Sequence, residues 1–420
     1  MPFQTALSGL SAASSDLKVT GNNIANSSTV GFKESRAEFA DVFAVSFGGI
    51  SKTAIGGGVR LAAVTQQFTQ GNIDFTGNAL DIAVNGQGFL VYDNNGVNNY
   101  SRNGALQVDR EGYMVDAQNR RLQVYESLDP QGTSFNTGTL SDLQLSTAAG
   151  QPAATTNIDA ILNLQADDAP TSLAGAGVND IDPADPNTFN YSTSVTVYDS
   201  LGISHTMNMY FQKTGSNSWD MRAQLSSPGG VVQDLTVGGD NETTITFNPD
   251  GSVNTGGVFN FDALPLGAVT GANDLVTSLD LTQSTQYGAN YNVSSLVQDG
   301  YTTGRLSSID IDENGVVFAR FTNGQAEALG KLALANFANP QGLQQLGDNA
   351  WGETFAAGAP QLGEAGAASF GLIQAGGLES SNVDIAEQLV KLITAQRNFQ
   401  ANAQVISTAD TVTQTIINIR

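Results

Sequence analysis

Along the last forty residues, SNVDIAEQLVKLITAQRNFQANAQVISTADTVTQTIINIR, apolar or small side chains recur at alternating steps of four and three. They run through Ile385, Leu389, Leu392, Phe399, Ala403 and Ile406, the spacing of a coiled-coil seam. A second seam, displaced by one residue, continues through Val405, Ala409, Val412, Ile416 and Ile419, so the apolar stripe drifts around one long helix. Ser381 and Asp384 form a capping-box-like start, Glu387 and Lys391 stand one turn apart in the favourable order, and Arg420 suits the negative helix end. A helix of this length reaches roughly 55 to 60 Å. Its stripe needs a partner.

The first thirty residues supply a matching stripe: Phe3, Ala6, Leu10, Ala13, Leu17, Thr20 and Ile24 repeat at steps of three and four, and Pro2 suits a first helical turn. Gly9, Gly21 and the run Asn22, Asn23, Asn26, Ser27, Ser28 and Thr29 are poor helix formers. This helix is expected to be stable only when packed, and Gly31 marks its end.

Between the two ends the period changes from helical to alternating. Residues 31–70 lack a clear period; FKESRAEFADVFA is expected to hold a short helical turn, and SFGGISKTAIGGGVR reads as an irregular connector without the ending of a phosphate loop. From about residue 71 the pattern is β, with hairpin signals at Asn85-Gly86, Asn103-Gly104, near Gly112, and again at Asn314-Gly315 and Asn323-Gly324. Residues from about 146 to 300 behave as an insertion of short strands after a polar opening, a sandwich- or barrel-like outer domain. The expectation is a mixed α and all-β multidomain fold with a terminal α-helical coiled-coil core and nested β-rich outer domains. Residues 1–30 and 381–420 form the core, 31–70 and 363–380 the connector, 71–145 and 301–362 a first β domain, and 146–300 the inserted domain.

Composition sharpens this. The formal charge of −23 argues against nucleic acid or an anionic membrane as partner. That charge lies wholly in the middle: Lys18, Lys33 and Arg36 balance Asp16, Glu34 and Glu38 near one end, and Lys391, Arg397 and Arg420 balance Asp384, Glu387 and Asp410 near the other. Neutral ends can pack densely against copies of themselves, while the acidic middle stays solvated. The chain has no Cys, so disulfides and thiolate metal sites are excluded. No basic leader or membrane-spanning run is readable in the sequence.

The polar string GNNIANSSTVGFK, residues 21–33, has no core-packing explanation, since a frayed helix end accounts only for its Asn side chains. It resembles the signature of the bacterial flagellar rod and hook family of axial proteins, and QLVKLITAQRNFQANAQVISTADTV, residues 388–412, is similar to that family's C-terminal helix. TGNALDIAVNGQGFLV and YSRNGALQVDREGYMV resemble its first β domain. The resemblance implies a self-assembling structural subunit exported without a cleaved signal through the flagellar type III apparatus to the extracellular flagellum. Implied partners are other copies in a helical homopolymer, the rod, a hook cap and the hook–filament junction proteins. The implied assembly residues are Leu10, Leu17, Asn22, Asn23, Ile24, Asn26, Gly31 and Phe32, with Ile385, Leu389, Leu392, Gln396, Arg397, Phe399, Ala403, Ile406, Val412 and Ile416. Rod members generally have only the smaller β domain, so the insertion favours a hook subunit, in which the tube bends as a universal joint, over a distal rod subunit.

Catalytic and metal chemistry find little support. Asp310-Ile-Asp312-Glu-Asn314-Gly315 opens like a calcium loop, but the last ligand position holds Phe321. Asp180, Asp182 and Asp185 read as a solvated loop, and the single His205 lies in an alternating strand without a nucleophile motif, which suits a surface or strand-packing role. No catalytic, cofactor or metal residue is assigned. A secreted acidic β enzyme or glycan-binding protein is the alternative from another class, and no carboxylate pair stands out for it.

Overall fold

The computed structural model describes residues 2–42, 56–145, 150–171, 181–367 and 369–418. Phe43, most of the connector at 46–60, Asp180, Ile419 and Arg420 fall outside them. Helices α1 (Pro2–Ala25) and α2 (Ile385–Asn418) bracket a chain whose other regular elements, among the described residues, are strands and one short 3-10 turn, Pro340–Gly342. The chain forms two compact units, one of residues 1–147, 307–320 and 326–420, the other of 148–306 and 321–325.

In the first unit α1 packs along α2 on one side and against a two-stranded hairpin on the other. Ala6, Ala13 and Thr20, seven residues apart, are buried, with Leu10, Leu17 and Ile24 half-buried between them. A weak helix former is thus held by partners rather than by propensity. The hairpin joins Ser35–Val42 to Gly58–Gln66, antiparallel from Ser35 opposite Gln66 to Val42 opposite Gly58, with a shift of register between Glu38 and Phe39. Where a helical turn is expected within 32–44, Ser35–Val42 is therefore a strand. Its pairing partner lies more than a dozen residues downstream, and such pairing overrides local propensity.

Helix α2 begins four residues later than Ser381. The Asp384 carboxylate accepts the amides of Ala386 at 2.8 Å and Glu387 at 3.2 Å, so Asp384 is the N-cap, while Ser381 Oγ accepts only the Val383 amide at 3.3 Å. Its 34 residues span about 51 Å, and the expected Glu387–Lys391 pair forms at 2.9 Å.

The β part of this unit is assembled from both passes of the chain. Phe89–Asn94 pairs with Val97–Ser101, Arg121–Ser127 and the returning strand Ala326–Asn336. Leu90 and Tyr92 enter one apolar cluster with Leu332 and Leu334, while Phe89 and Val91 enter another with Ala333, Phe337 and Trp351. Phe89–Tyr92 and Leu332–Ala335 within these strands are unbroken apolar runs because both of their faces are covered. The Asn85-Gly86 hairpin does not form: Ile82–Asn85 pairs with Leu372–Ala375 from the return pass. Gly86 has φ +121°, and a Cβ there would lie 2.8 Å from Gly371 Cα, so this glycine permits a close crossing of two passes. The tight hairpin sits instead at Asn95-Gly96, with φ +55° and +87°, between Phe89–Asn94 and Val97–Ser101. The segment 363–380, expected as connector, is also sheet, since Gly377–Glu379 pairs with Ile73–Phe75.

The other unit holds a six-stranded and a four-stranded sheet. Met207, Met209, Phe211, Trp219, Met221 and Leu225 of the larger sheet share one buried cluster with Ile158, Ala160, Leu162 and Leu279 of the smaller. Two sheets around one core make this a sandwich rather than a closed barrel. A fragment of residues 148–306 is expected to unfold cooperatively in urea, and Phe211→Ala, which empties a fully buried site, to lower its stability by about 3 to 5 kcal/mol.

Candidate assembly site

The two helices run antiparallel, with Gly9 against Asn402 and Asn23 bonded to Gln388. A Cβ on Gly9 would lie 2.5 Å from Asn402 Oδ1, so a larger residue there would displace the Asn402 side chain. Gly9, Asp16 and Asn23 are seven residues apart, as are Asn402, the buried Ala395 and Gln388, and both sets hold the same register. The seam toward α2 is therefore small and polar. Burial raises the Asp16 carboxyl above its ordinary value, opposed by the charge of Lys391.

Asn23 is the pivot of the polar string after α1. Its Nδ2 donates to Ser35 O at 2.8 Å and Gln388 Oε1 at 3.1 Å, and its Oδ1 accepts the Ser35 amide at 2.9 Å. One buried amide so starts the hairpin strand and holds α2. Gln388 Nε2 and Lys391 Nζ both donate to Glu34 Oε1, at 2.8 and 3.0 Å. Asn382 accepts the Glu34 amide at 2.7 Å and donates to Gln67 O at 2.8 Å.

Below this lies a charge cluster that the apolar periods did not reveal. Glu379 is fully buried between Lys33 Nζ at 2.6 Å and Arg102 Nη1 at 3.2 Å, and also accepts the Gly71 amide at 2.9 Å. Lys33 further donates to Thr69 O at 2.8 Å, and Arg102 to Gly86 O at 2.8 Å, with the Phe89 ring 5.4 Å from the guanidinium. Burial pushes the Lys33 amine and the Arg102 guanidinium below their usual values, and Glu379 opposes both shifts. Gly31 closes the cluster from above: its amide donates to Glu379 O at 2.7 Å. At φ +69° a Cβ on Gly31 would lie 2.7 Å from the Asn103 amide nitrogen. Thus the final Gly-Phe-Lys of GNNIANSSTVGFK is a close approach, a buried ring and a buried cation.

The remaining expected residues divide. Asn22 is exposed; Asn26 donates to Asn22 O at 3.0 Å and accepts from Thr29 at 3.2 Å, which makes it a local turn support. On α2, Leu392, Phe399, Ala403 and Ile406 are half-buried, whereas Ile385, Leu389, Gln396, Arg397 and Val412 are exposed; the side chain of Ile416 is outside the described residues. The inward seam passes through Gln388 and Ala395, one residue before Leu389 and after the position that Ile385 would need. Ile385 and Leu389 therefore do not face α1, because polar Gln388 takes that place by bonding Asn23. Val390, Ile393, Val405 and Ile417 are likewise exposed apolar side chains on α2.

No described cluster of His, Cys, Asp or Glu is arranged to hold a metal. Asp310 pairs with Arg320 at 2.6 Å, and Asp312 Oδ1 accepts the Val316 amide at 2.7 Å in a hairpin turn. His205 is buried, not at the surface, between Ser227 Oγ at 2.9 Å and Asp199 Oδ2 at 3.1 Å. Burial opposes ionisation of Asp199, but hydrogen bonds from the Ile203 and Leu201 amides, His205 and Thr270 outweigh it and hold the carboxyl below its ordinary value. Asp199 thus adds stability above the ordinary carboxylate range, lost as pH falls through its lowered value. Asp199→Asn is expected to flatten that acid limb in unfolding measured across pH.

Four domain families match along the chain: "Flagella basal body rod protein" over residues 3–33, "Flagellar hook protein FlgE/F/G D1 domain" over 83–158, "Flagellar basal body protein FlaE D2 domain" over 163–301, and "Flagellar basal body rod FlgEFG protein C-terminal" over 374–419. Helical ends, a β domain and a second, inserted β domain in this order define an axial protein of the bacterial flagellum. The flagellar hook protein FlgE of Salmonella typhimurium is 39% identical, and that of Escherichia coli 38%, each over the whole of both chains. The crystal structure of Helicobacter pylori flagellar hook protein FlgE2 shares the fold at 16% identity, with a TM-score of 0.54 over 73% of this chain and all of that one. The chain belongs to the flagellar hook protein family.

Glu379→Gln, which leaves two buried cations without their carboxylate, is expected to cost about 3 to 5 kcal/mol in chemical denaturation of the first unit. Lys33→Met leaves one cation and one carboxylate and is expected to cost less.

Proposed function

We propose that this chain is the structural subunit of the hook, polymerising into a curved, flexible tube that joins rod to filament and transmits torque as a universal joint. The observation that carries the proposal is the set of large apolar side chains on α2 that the described residues leave about half or more in water, Ile385, Leu389, Val390, Ile393, Val405, Val412 and Ile417. Exposed apolar side chains gathered on one helix mark an interaction surface, and a full-length relation to hook proteins makes the partner another copy.

In this mechanism the antiparallel helices pack side by side with those of neighbouring copies to form the inner layer. There the low charge of both chain ends and their small side chains allow close approach. The acidic β-rich middle stays on the solvated outside, where weak contacts slide as a subunit passes the inner and outer side of the bend. Bending is then a choice among near-equivalent packings, without unfolding. The division into helical core, connector, first β domain and outer domain is assigned to these layers. The chain acts as no enzyme, leaves the cell through the flagellar type III apparatus, and meets the rod, a hook cap and the hook–filament junction proteins at the ends of the polymer. Relatedness to hook proteins and the outer β insertion support this reading over a distal rod subunit, for which purified chains would give a straight, rigid polymer.

A chain lacking 381–420 is expected to keep β circular dichroism but form no filaments by electron microscopy; filaments from it would remove α2 from the assembly. Leu389→Glu with Ile393→Glu, two exposed positions, is expected to leave the thermal midpoint of the monomer within a few degrees. Polymerisation should be abolished, as followed by light scattering.

A further inference from the structure

The ring of Phe355 is fully exposed, at 104% of its reference area, although the loop that carries it is fixed on both sides. Thr354 Oγ1 donates to Gly342 O, and the Ala357 amide donates to Thr354 O at 3.1 Å. Asn339 reaches across from the preceding turn: its Nδ2 donates to Ala356 O at 3.0 Å and its amide to Ala357 O at 3.3 Å. Ala357 is buried in the cluster of Phe337 and Trp351. Tyr100 OH donates to Glu353 at 3.4 Å, and Gly358, at φ +81°, turns the chain back. The loop backbone is therefore held while it presents one large apolar ring to water, beside a shallow hollow of about 540 Å³ lined by Glu353, Thr354, Gly358, Ala359 and Pro360. A backbone already held gives up little further freedom when the ring it carries is buried, which suits an interface anchor.

We propose that Phe355 is an anchor by which the first β domain docks onto a second copy of this chain. The chemistry around the ring argues for a protein surface over a lipid one: residues 339–360 contain Asp348 and Glu353 but no Lys or Arg, whereas interfacial lipid anchors pair apolar with basic residues. A second copy is the occupant because, in the polymer proposed above, copies are the neighbours on every side. The inference rests on that reading and adds a contact remote in sequence from the helices.

The chain has no Cys, so Phe355→Cys in the full-length protein gives one addressable thiol. Maleimide labelling is expected to be fast in the monomer and slowed at least about tenfold in the polymer, the protection expected of a buried anchor. Phe355→Ser is expected to leave the thermal midpoint of the monomer unchanged and to raise the critical concentration for polymerisation about tenfold. With benzoylphenylalanine at position 355, irradiation of the polymer should give a covalent dimer of the chain. Equal labelling in monomer and polymer, an unchanged critical concentration for Phe355→Ser, or crosslinking in cells to a different protein alone would each overturn the docking role while the hook reading stands. A wild-type chain that never polymerises would remove both.

Discussion

One carboxylate, Glu379, sets the geometry of the helical end of the molecule. It is buried between Lys33, which follows α1, and Arg102, which belongs to the β domain, while Glu379 itself lies just before α2. A charge taken out of water is tolerated only when its partners are fixed by further hydrogen bonds. Here those bonds come from Gly71, Thr69, Val84 and Gly86, so satisfying one charge fixes the outgoing and returning passes of the chain together. A wrong crossing of the two passes would leave these cations buried without their carboxylate, which disfavours it. Gly31 completes the constraint by allowing a backbone approach that no side chain permits.

From that fixed junction the helix pair extends as a unit with a polar seam. Asn23, Gln388, Gly9 and Asn402 give register, while larger apolar side chains of α2 remain outside. This division has a functional sense. A subunit whose apolar residues were consumed in its own hairpin would have little left for its neighbours, whereas a polar internal seam fixes the pair and leaves the apolar surface for assembly. The lightly charged ends and the acidic middle separate the same two tasks along the sequence.

The helices, the β nature of the middle and the nested path were legible because period and turn chemistry are local signals. Even so, the seam of α2 was displaced: periodicity ranks residues by hydrophobicity, and Ile385 and Leu389 outrank Gln388, although Gln388 is the buried one. Only its bond to Asn23, 365 positions away, decides the matter. The Asn85-Gly86 signal failed for a related reason, since Ile82–Asn85 finds its partner on the return pass; the same dipeptide at Asn95-Gly96 does make the hairpin. Glu379 carried no period or motif, whereas Arg102 stood inside the quoted YSRNGALQVDREGYMV and Lys33 inside the quoted polar string, where its charge after a glycine and an aromatic ring was the available hint. Phe355 looks like any loop aromatic until its exposure is known.

The account stands on the claim that the exposed apolar side chains of α2 form an interface between copies. Imaging a polymer of the purified full-length chain at subunit resolution tests this most directly. The account predicts a tube whose innermost layers are the paired helices, with Ile385, Leu389 and Ile393 buried against neighbouring copies. A polymer in which those side chains face solvent, with subunits joined through the β domains alone, would contradict it.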